Sequence, residues 1–251
     1  MQIEATPELH PRSLRDTPIE GVVLTTGDLD QVLGLLLMRE LQPIRIYATD
    51  AVRAIVQREN AFFNMLTQHD GQSRWMRIDA AGDFRLEAAS APPIECRPVS
   101  LGSCFPAWVP PPLAQELPQA EAVLGLVIQQ SGSSQNGNRR RLGYFPACGK
   151  ITPKMISILE ECDVVLFDGT FWDDQELSRA NPSFRSARQM GHVPLGGEDG
   201  TLALLAGLRR PRKIFIHINN TNPILDRDSA EHRQVIESGW EIAEDGWDIR
   251  L

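Results

Sequence analysis

The sequence lacks the excess of basic residues that a nucleic-acid-binding surface requires. Its 251 residues include 25 lysines and arginines against 33 aspartates and glutamates, which gives a formal net charge of −8. A run of three arginines covers residues 139–141, and we interpret it either as the solvated flank of a hairpin or as a contact for an anion. A protein that follows a phosphate backbone needs clustered lysine and arginine, so nucleic acid is excluded as a partner.

The sequence also lacks the markers of secretion and of membrane insertion. No signal peptide precedes the first domain residues, and no apolar run reaches the length of a membrane span. None of the four cysteines belongs to a Cys-x-x-Cys pair, so a local zinc knuckle is absent. Free thiols are typical of cytoplasmic proteins. We therefore expect a cytoplasmic protein without membrane insertion.

What is present is a pattern of strands that alternate with helices. The Asn136-Gly137 pair predicts a hairpin loop, an Asp228-x-x-Glu231 capping box predicts the start of the last helix, and residues 240–251 predict a closing hairpin. The pattern indicates an α/β architecture, either a four-layer sandwich or a doubly wound sheet. Apolar, β-branched runs predict strands at residues 19–25, 44–48, 122–129, 163–167 and 213–218, and residues 141–145 are expected as the return strand of the hairpin.

Three of these strands end in polar residues, which is where α/β proteins place ligand chemistry. The first strand runs into TGDLDQ at residues 26–31, in which Asp28 and Asp30 are two residues apart and can point the same way. Two neighbouring carboxylates repel each other unless a cation or a proton lies between them. These aspartates therefore either contact a metal or a substrate, or they cap and begin the following helix.

The other two strand ends carry Asp168 and His217. Asp168 precedes a glycine that lets the backbone approach a ligand, although an Asx-turn at a tight corner explains the same pattern. His217 precedes the amides Asn219 and Asn220, and its ring is either a ligand that these neighbours orient or a core histidine. The three ends suggest one shared site, which a metal could occupy.

His192, in the turn GHVP, is a further candidate for proton transfer, but a lone histidine in a turn is more often structural.

Together these motifs resemble the family of pyrroloquinoline quinone biosynthesis protein B, a branch of the metallo-β-lactamase superfamily. The resemblance covers residues 2–248 and is carried by IYATDAV, LFDGTFW, MGHVPLGG and HINNTNPILD. It implies a single domain over residues 1–251, folded as an αββα sandwich with the metal site at the edges of the sheets. It also implies residue roles: metal ligands Asp28, Asp30, Asp168 and His217, proton transfer by His192, and substrate or supporting contacts from Gln31, Thr170, Asn219 and Asn220.

The resemblance further implies an oxygen-using hydroxylation of the cross-linked Glu–Tyr amino acid that becomes the quinone cofactor PQQ. Fe(II) is the expected metal, with Zn or Mn as alternatives, and O2 is the co-substrate. The alternative function is a metal-independent carrier of PQQ or its precursor towards the periplasm. A hydrolase ranks lowest, because the His-rich dizinc pattern is missing. The expected partners are the small molecule, the other enzymes of PQQ biosynthesis, and a second copy of the chain in a homodimer.

The sequence departs from the family pattern at two places. The family's Asn-x-Asp-x-Asp-His motif stands here with Thr26 at its start and Gln31 at its end, and an amide is a poorer ligand for iron or zinc than imidazole. The family also begins with a longer segment that carries a Gly-rich loop and a Cys-x-Cys-x-x-Cys zinc site, and neither is found here. We therefore expect a sandwich without the usual N-terminal strands, in which the edge of the first sheet is exposed or differently paired.

Overall fold

Strands and helices alternate along most of the chain. The computed structural model describes residues 2–14, 16–38, 43–58, 60–67, 70–89, 91–102, 104–131 and 139–251. The strands are β1 (Gly21–Val23), β2 (Ile44–Ala48), β3 (Ser73–Arg77), β4 (Phe84–Leu86), β5 (Ile94–Gly102), β6 (Val123–Gln130), β7 (Arg141–Phe145), β8 (Val164–Asp168), β9 (Arg212–Ile216) and β10 (Glu241–Ile242). The α-helices are α1 (Gln2–Ala5), α2 (Leu29–Val32), α3 (Asp50–Arg58), α4 (Pro111–Glu116), α5 (Pro153–Glu160), α6 (Glu176–Ala180), α7 (Thr201–Leu204) and α8 (Ala230–Glu237). Short 3-10 helices cover Pro7–Leu9, Leu33–Leu37, Ala61–Thr67, Gln119–Glu121, Arg188–Met190 and Pro223–Leu225.

The strands form two sheets of unequal size. The first sheet has the order β1-β2-β3 with parallel pairing throughout. The second has the order β10-β9-β8-β7-β6-β5-β4, in which the pairs from β10 to β7 are parallel and those from β7 to β4 are antiparallel. Parallel neighbours bring their carboxyl ends to the same sheet edge, and β8 and β9 do so with Asp168 opposite Ile216. That edge carries the candidate site.

The side chains pack in four layers. On the outer face of the first sheet, Ile46 of β2 packs with Val52 and Val56 of α3. Between the sheets, Tyr47 of β2 packs with Leu124 of β6. The outer face of the second sheet is covered by helices in the largest apolar cluster, which includes Phe145, Val165, Phe167, Leu159 of α5, Phe215 and Val235 of α8. The order helix, sheet, sheet, helix confirms the predicted αββα sandwich.

Most predicted strands lie within two residues of their observed bounds, since their apolar residues are buried in the clusters just described. Residues 44–48 and 141–145 match β2 and β7 without a shift. The antiparallel pairing of β6 with β7 agrees with a hairpin, but its Asn136-Gly137 loop lies outside the described residues. Each arginine of the basic run forms an ion pair with an acidic side chain: Arg139 with Glu95, Arg140 with Asp163, and Arg141 with Glu161.

Two predictions near the C-terminus are wrong. The last helix is not capped by the Asp228-x-x-Glu231 box, because Ser229 occupies the N-cap position and its side chain accepts a hydrogen bond from the backbone N–H of His232. The closing hairpin is absent as well: β10 pairs in parallel with β9, and residues 247–251 form no strand. The stacking of Trp240 on Phe215, with ring centroids 4.1 Å apart, holds β10 beside β9.

Within the described part of the chain, no helix has the length and apolar character needed to cross a bilayer.

Candidate metal centre

The candidate site lies where the ends of β8 and β9 meet the turn that follows β1. Asp168 is the last residue of β8, and His217 directly follows β9. Asp28 and Asp30 come from the first sheet, at the start of α2. The contact between His217 Nε2 and Asp30 Oδ2, 3.2 Å long, joins the two sheets at this point. The structure therefore brings together the three strand ends that the sequence predicted to share a site.

Asp168 is the most enclosed residue of the site, with 1 % of its surface exposed. Its Oδ1 atom accepts hydrogen bonds from the backbone N–H and the hydroxyl of Thr170, at 3.1 and 2.6 Å. Its Oδ2 atom accepts from the backbone N–H of Cys148 at 2.8 Å and contacts Nδ1 of His192 at 2.7 Å. Burial alone would raise the pKa of Asp168, but the positive charge of His192 and these hydrogen bonds hold it below its usual range.

His217 links the buried carboxylate to the open side of the site. Its Nδ1 atom lies 2.8 Å from the hydroxyl of Thr170, which in turn donates to Asp168. The carboxylate of Asp168 itself is 3.9 Å from Nδ1, too far for a direct hydrogen bond, so it acts on the ring as a nearby negative charge. Together Asp168 and Asp30 raise the pKa of His217 to about 10. With Nδ1 engaged by Thr170, the second nitrogen, Nε2, faces Asp30.

The backbone of His217 has φ of 55°, the only positive value for a non-glycine residue in the described part of the chain. This left-handed conformation costs energy in an L-residue and is found most often where a functional side chain must be held in place. It lets the chain leave β9 sharply while the ring turns toward Thr170 and Asp30. No motif predicts this conformation beyond the polar turn that follows His217.

The two aspartates of the first sheet differ in their environment. Asp28 occupies the N-cap position of α2, yet its side chain makes no capping hydrogen bond and instead accepts one from the hydroxyl of Thr26 at 2.7 Å. Burial raises the pKa of Asp28. The hydrogen bond from His217 lowers the pKa of Asp30, whose side chain is 64 % exposed. Capping therefore does not explain the orientation of Asp28.

Gln31, which stands in the place of the family's histidine, points away from this carboxylate pair. Its Oε1 atom accepts a hydrogen bond from the hydroxyl of Thr25 at 3.4 Å. The side chain lines a separate cavity that is described below, together with Asp30 and His217. Gln31 thus lies beside the site, and its predicted supporting role stays a prediction.

His192 follows a sharp turn at Gly191, where φ is 88° and an added Cβ would approach Cys104 to 3.1 Å. The contact of Nδ1 with Asp168 leaves Nε2 as the free nitrogen of the ring. The ring stacks on His217 with centroids 5.7 Å apart and meets Phe171 edge to face at the same distance. His192 is thereby oriented from three sides, as proton transfer or metal binding would require.

The loop after His217 is fixed mainly by the side-chain amide of Asn222, which was not among the predicted site residues. Asn222 is 2 % exposed, and its side-chain N–H groups donate to the carbonyls of Gly169 and Thr170 at 2.9 and 3.3 Å. Asn219 donates through its side chain to Thr221, and Asn220 is exposed without a hydrogen bond from its side chain to the described residues. The position of Asn222 directly before a proline at a helix start is the sequence signal that could have identified it.

Two cavities reach the site. The first has a volume of about 490 Å³ and is lined by Asp28, Asp30, His192 and His217 on one side and by apolar residues such as Phe105 on the other. The second, of about 910 Å³, is lined by residues of β1 in the first sheet and of β7, β8 and β9 in the second. Asp30 and His217 line both cavities, whereas Asp168 lines neither. The Asp30–His217 pair is therefore common to the two cavities.

The donor atoms at this contact fit a metal ion. Two atoms that each bond to one ion at about 2.1 Å lie roughly 3 Å apart, and Asp30 Oδ2 and His217 Nε2 are 3.2 Å apart. Asp168, His192 and His217 also have ligand-type atoms within 4.8 Å of one another. In that group, however, the carboxylate of Asp168 faces the Nδ1 atom of each ring. Its two oxygens are already engaged by Cys148, Thr170 (twice) and His192. A set of carboxylates and one or two imidazoles suits Fe(II), Mn(II) or Zn(II).

Comparison with known proteins identifies the family. A family model described as "Beta-lactamase superfamily domain" matches residues 1–218. Coenzyme PQQ synthesis protein B of Pseudomonas putida (strain GB-1) is 37 % identical over 251 residues, which cover all of this chain and 80 % of that protein. The chain belongs to the PqqB family of the β-lactamase superfamily.

A solved PqqB structure supports this assignment. The Zn²⁺-bound PqqB from Methylobacterium extorquens is 34 % identical and superimposes with a TM-score of 0.85, covering 99 % of this chain and 79 % of the other. The resemblance stated from the sequence motifs is thus confirmed, as is the fold. A diphosphatase of the PhnP family, at 16 % identity and a TM-score of 0.54 over 91 % of this chain and 69 % of the other, shares the fold alone.

Proposed function

We propose that this member of the PqqB family acts in PQQ biosynthesis as a metal-dependent, oxygen-using hydroxylase of the cross-linked Glu–Tyr precursor. The reaction inserts one oxygen atom of O2 into a C–H bond and reduces the other to water with two electrons from an external reductant. The observation that carries the proposal is the Asp30–His217 pair, with donor atoms 3.2 Å apart at the floor of a cavity of about 490 Å³. The names of the relatives supply the pathway.

The residues that would hold the metal are Asp28, Asp30 and His217, which line the same cavity. Asp168 is the fourth predicted ligand, and it would have to give up one of its hydrogen bonds to bind an ion. Fe(II) is our first choice, with Zn or Mn as alternatives, since the set is rich in oxygen donors. When bound, the ion would supply a place for O2 to bind and react.

His192 is the proposed proton-transfer residue. The contact of Nδ1 with the buried carboxylate of Asp168 fixes the ring, so that Nε2 can take or give a proton in the cavity. Thr170 sets the orientation of His217 through the contact of its hydroxyl with Nδ1 of that ring. Asn219 supports the loop through the hydrogen bond that its side chain donates to Thr221. The apolar wall of the cavity, which includes Leu101 and Val123, would exclude water from a bound substrate.

The carrier function is the second candidate, and Gln31 favours it. The family's histidine is absent at this position, and the amide that replaces it accepts a hydrogen bond from Thr25 beside Asp30 and His217 in the second cavity. A protein with a weakened metal site can still bind a flat quinone in an apolar cavity. In that case PQQ or its precursor binds without metal, and Asp28→Ala or His217→Ala has little effect on binding.

The test is the metal content of protein purified without air, measured for the wild type and for Gln31→His. Gln234→His, which adds a histidine on the exposed face of α8, is the matched control. Near-stoichiometric iron in the wild type, together with incorporation of label from ¹⁸O2 into the substrate, supports the hydroxylase. An empty wild type that fills only in Gln31→His favours the carrier, and no metal in any of the three proteins contradicts metal-dependent catalysis.

Three further predictions accompany the function. We expect a cytoplasmic location, a homodimer, and association with other enzymes of PQQ biosynthesis. Size measurement of the purified protein tests the second of these.

A further inference from the structure

The first cavity contains one cationic side chain besides its histidines, which is Arg185. Apart from Asp28 and Asp30, the remaining lining residues are uncharged. Arg185 is an exposed residue at this otherwise acidic and apolar cavity, where an anionic partner can reach its guanidinium. The structure describes no such partner within the protein.

Arg185 differs from its neighbours along the chain in this respect. Arg179 forms an ion pair with Asp173, and Arg188 forms one with Asp199 at 2.6 Å. Within the described residues, Arg185 has no carboxylate within ion-pair distance. Its only hydrogen bond there is a donation from Nη2 to the backbone carbonyl of Gln189. Most of the five N–H groups of its guanidinium therefore remain available.

The segment that carries Arg185 is held in a defined shape. The backbone N–H of Ser186 donates to the side chain of Gln189 at 2.9 Å, which closes the turn on itself. The backbone N–H groups of Ala187 and Arg188 donate to Asp174, at 3.0 and 2.9 Å, and tie the turn to the residues before α6. An arginine on a pre-formed turn loses little freedom when it binds a ligand.

An aromatic ring stands beside the arginine. Phe184 lines the same cavity and is 51 % exposed, so its ring is accessible to a ligand. Phe105 lines the cavity as well, and Leu101 and Val123 add to its apolar wall. Such a combination of flat apolar surface and a guanidinium fork fits a planar ring that carries a carboxylate.

We propose that Arg185 binds a carboxylate of a planar aromatic ligand whose ring lies against Phe184, with the ligand's opposite end toward Asp30 and His217. The proposal rests on the proposed function, since it places the ligand in the same cavity, and it names the chemical class of that ligand as an aromatic carboxylate. PQQ belongs to this class, because it is a planar quinone with several carboxylates. Arg185 then sets the specificity for the anion and takes no part in the chemistry.

The experiment compares two probes that share one ring system, PQQ and its neutral trimethyl ester, by equilibrium dialysis. The proteins are the wild type, Arg185→Gln and Arg188→Gln. The last is the matched control, because Arg188 lies three residues away and does not line the cavity. We expect Arg185→Gln to weaken PQQ binding by about 10- to 100-fold, the usual range for one charge-assisted hydrogen-bonding group, and to leave ester binding unchanged. Arg188→Gln should change neither.

Three results would overturn the proposal: equal loss of PQQ binding in both variants, equal affinity of the wild type for PQQ and the ester, or no binding of either probe. Failure of the proposed function has a different signature. A protein that holds no metal and shows no oxygen insertion, yet binds PQQ in an Arg185-dependent way, contradicts the hydroxylase and supports the assignment of Arg185. Melting temperatures of both variants establish that they are folded.

Discussion

The two halves of the candidate site differ in how firmly they are built. The anchored half, Asp168, Thr170, His192 and His217, belongs to the second sheet and the loops beside it, and Asp168 is 1 % exposed with four hydrogen bonds. The open half, Asp28, Asp30 and Gln31, follows β1 of the smaller sheet. There Asp30 is 64 % exposed and Gln31 is held by a hydrogen bond of 3.4 Å.

This difference indicates that the two halves have different functions in the site. The anchored half orients two imidazole rings before any ligand arrives, because its hydrogen bonds are buried and satisfied within the protein. The open half supplies negative charge at the cavity and meets the anchored half through one contact, His217 with Asp30. A cation would therefore complete the junction between two sheets, and the two halves should respond differently to substitution.

The largest effect is expected from Asp168→Asn in the anchored half. An amide in that place cannot accept hydrogen bonds on both sides, so the buried N–H group of either Cys148 or Thr170 loses its acceptor. We expect the free energy of unfolding to fall by about 2–4 kcal/mol, measured by urea denaturation. The comparison of the halves fails if the loss is no greater than that for Asp30→Asn.

Asp30→Asn should weaken metal binding and leave the stability of the fold almost unchanged. We expect metal affinity to fall by at least ~100-fold, since even the residues that support a ligand are typically worth 10- to 100-fold. The free energy of unfolding should change by less than about 0.5 kcal/mol, because the side chain is exposed. Competition with a chelator measures the first quantity and urea denaturation the second. Asp83→Asn, at an exposed position far along the chain, is the control, and equal metal affinities of these two variants would count against Asp30 as a ligand.

Thr170→Val tests whether the anchored half acts through the ring of His217. The substitution keeps the volume and removes the hydroxyl between Asp168 and His217 Nδ1. We expect metal affinity to fall by about 10- to 100-fold. Thr201→Val, a buried position whose hydroxyl makes only a bond of 3.5 Å to Val193, should leave metal affinity unchanged. Similar losses in both variants would mean that packing, and not ring orientation, is responsible.

The stability of the metal-free protein should also depend on pH. The pKa of His217 is about 10 in the folded state, against an ordinary value of 6.5. The ion pairs of His217 therefore stabilise the fold fully below pH 6.5, and this stabilisation is lost as the pH rises to 10. Urea denaturation at a series of pH values should show this loss in the wild type and a smaller one in His217→Gln. Parallel pH profiles would contradict the role of His217 as the charged link between the halves.

The sequence predicted the fold well because the strands are marked by apolar residues that end up buried and, for residues 141–145, by a preceding hairpin loop. Residues 44–48 and 141–145 match β2 and β7, and the polar ends of three strands do meet. The errors lie where tertiary contacts decide the local structure. Trp240 packs against Phe215, and the residues that follow form a parallel edge strand instead of the predicted hairpin. Ser229, and not Asp228, is the N-cap of the last helix.

The candidate site could be predicted only as a set of residue types. Its members were identifiable because they follow strands, but their partners come from distant parts of the chain. The backbone N–H of Cys148 holds Asp168, and the amide of Asn222 holds the carbonyls of Gly169 and Thr170. The sequence marks Asn222 as a helix cap, but it does not show which atoms either group contacts, because each contact depends on how separate loops come together.

The position of Asp30 and His217 between two cavities has a consequence for the order in which molecules reach the site. A small molecule can approach the pair from the second cavity while the first is filled, since Asp30 and His217 line both cavities. Neither reactant needs to arrive before the other. The steady-state kinetics should then follow random addition, and an aromatic inhibitor that fills the first cavity should be noncompetitive with respect to the small reactant.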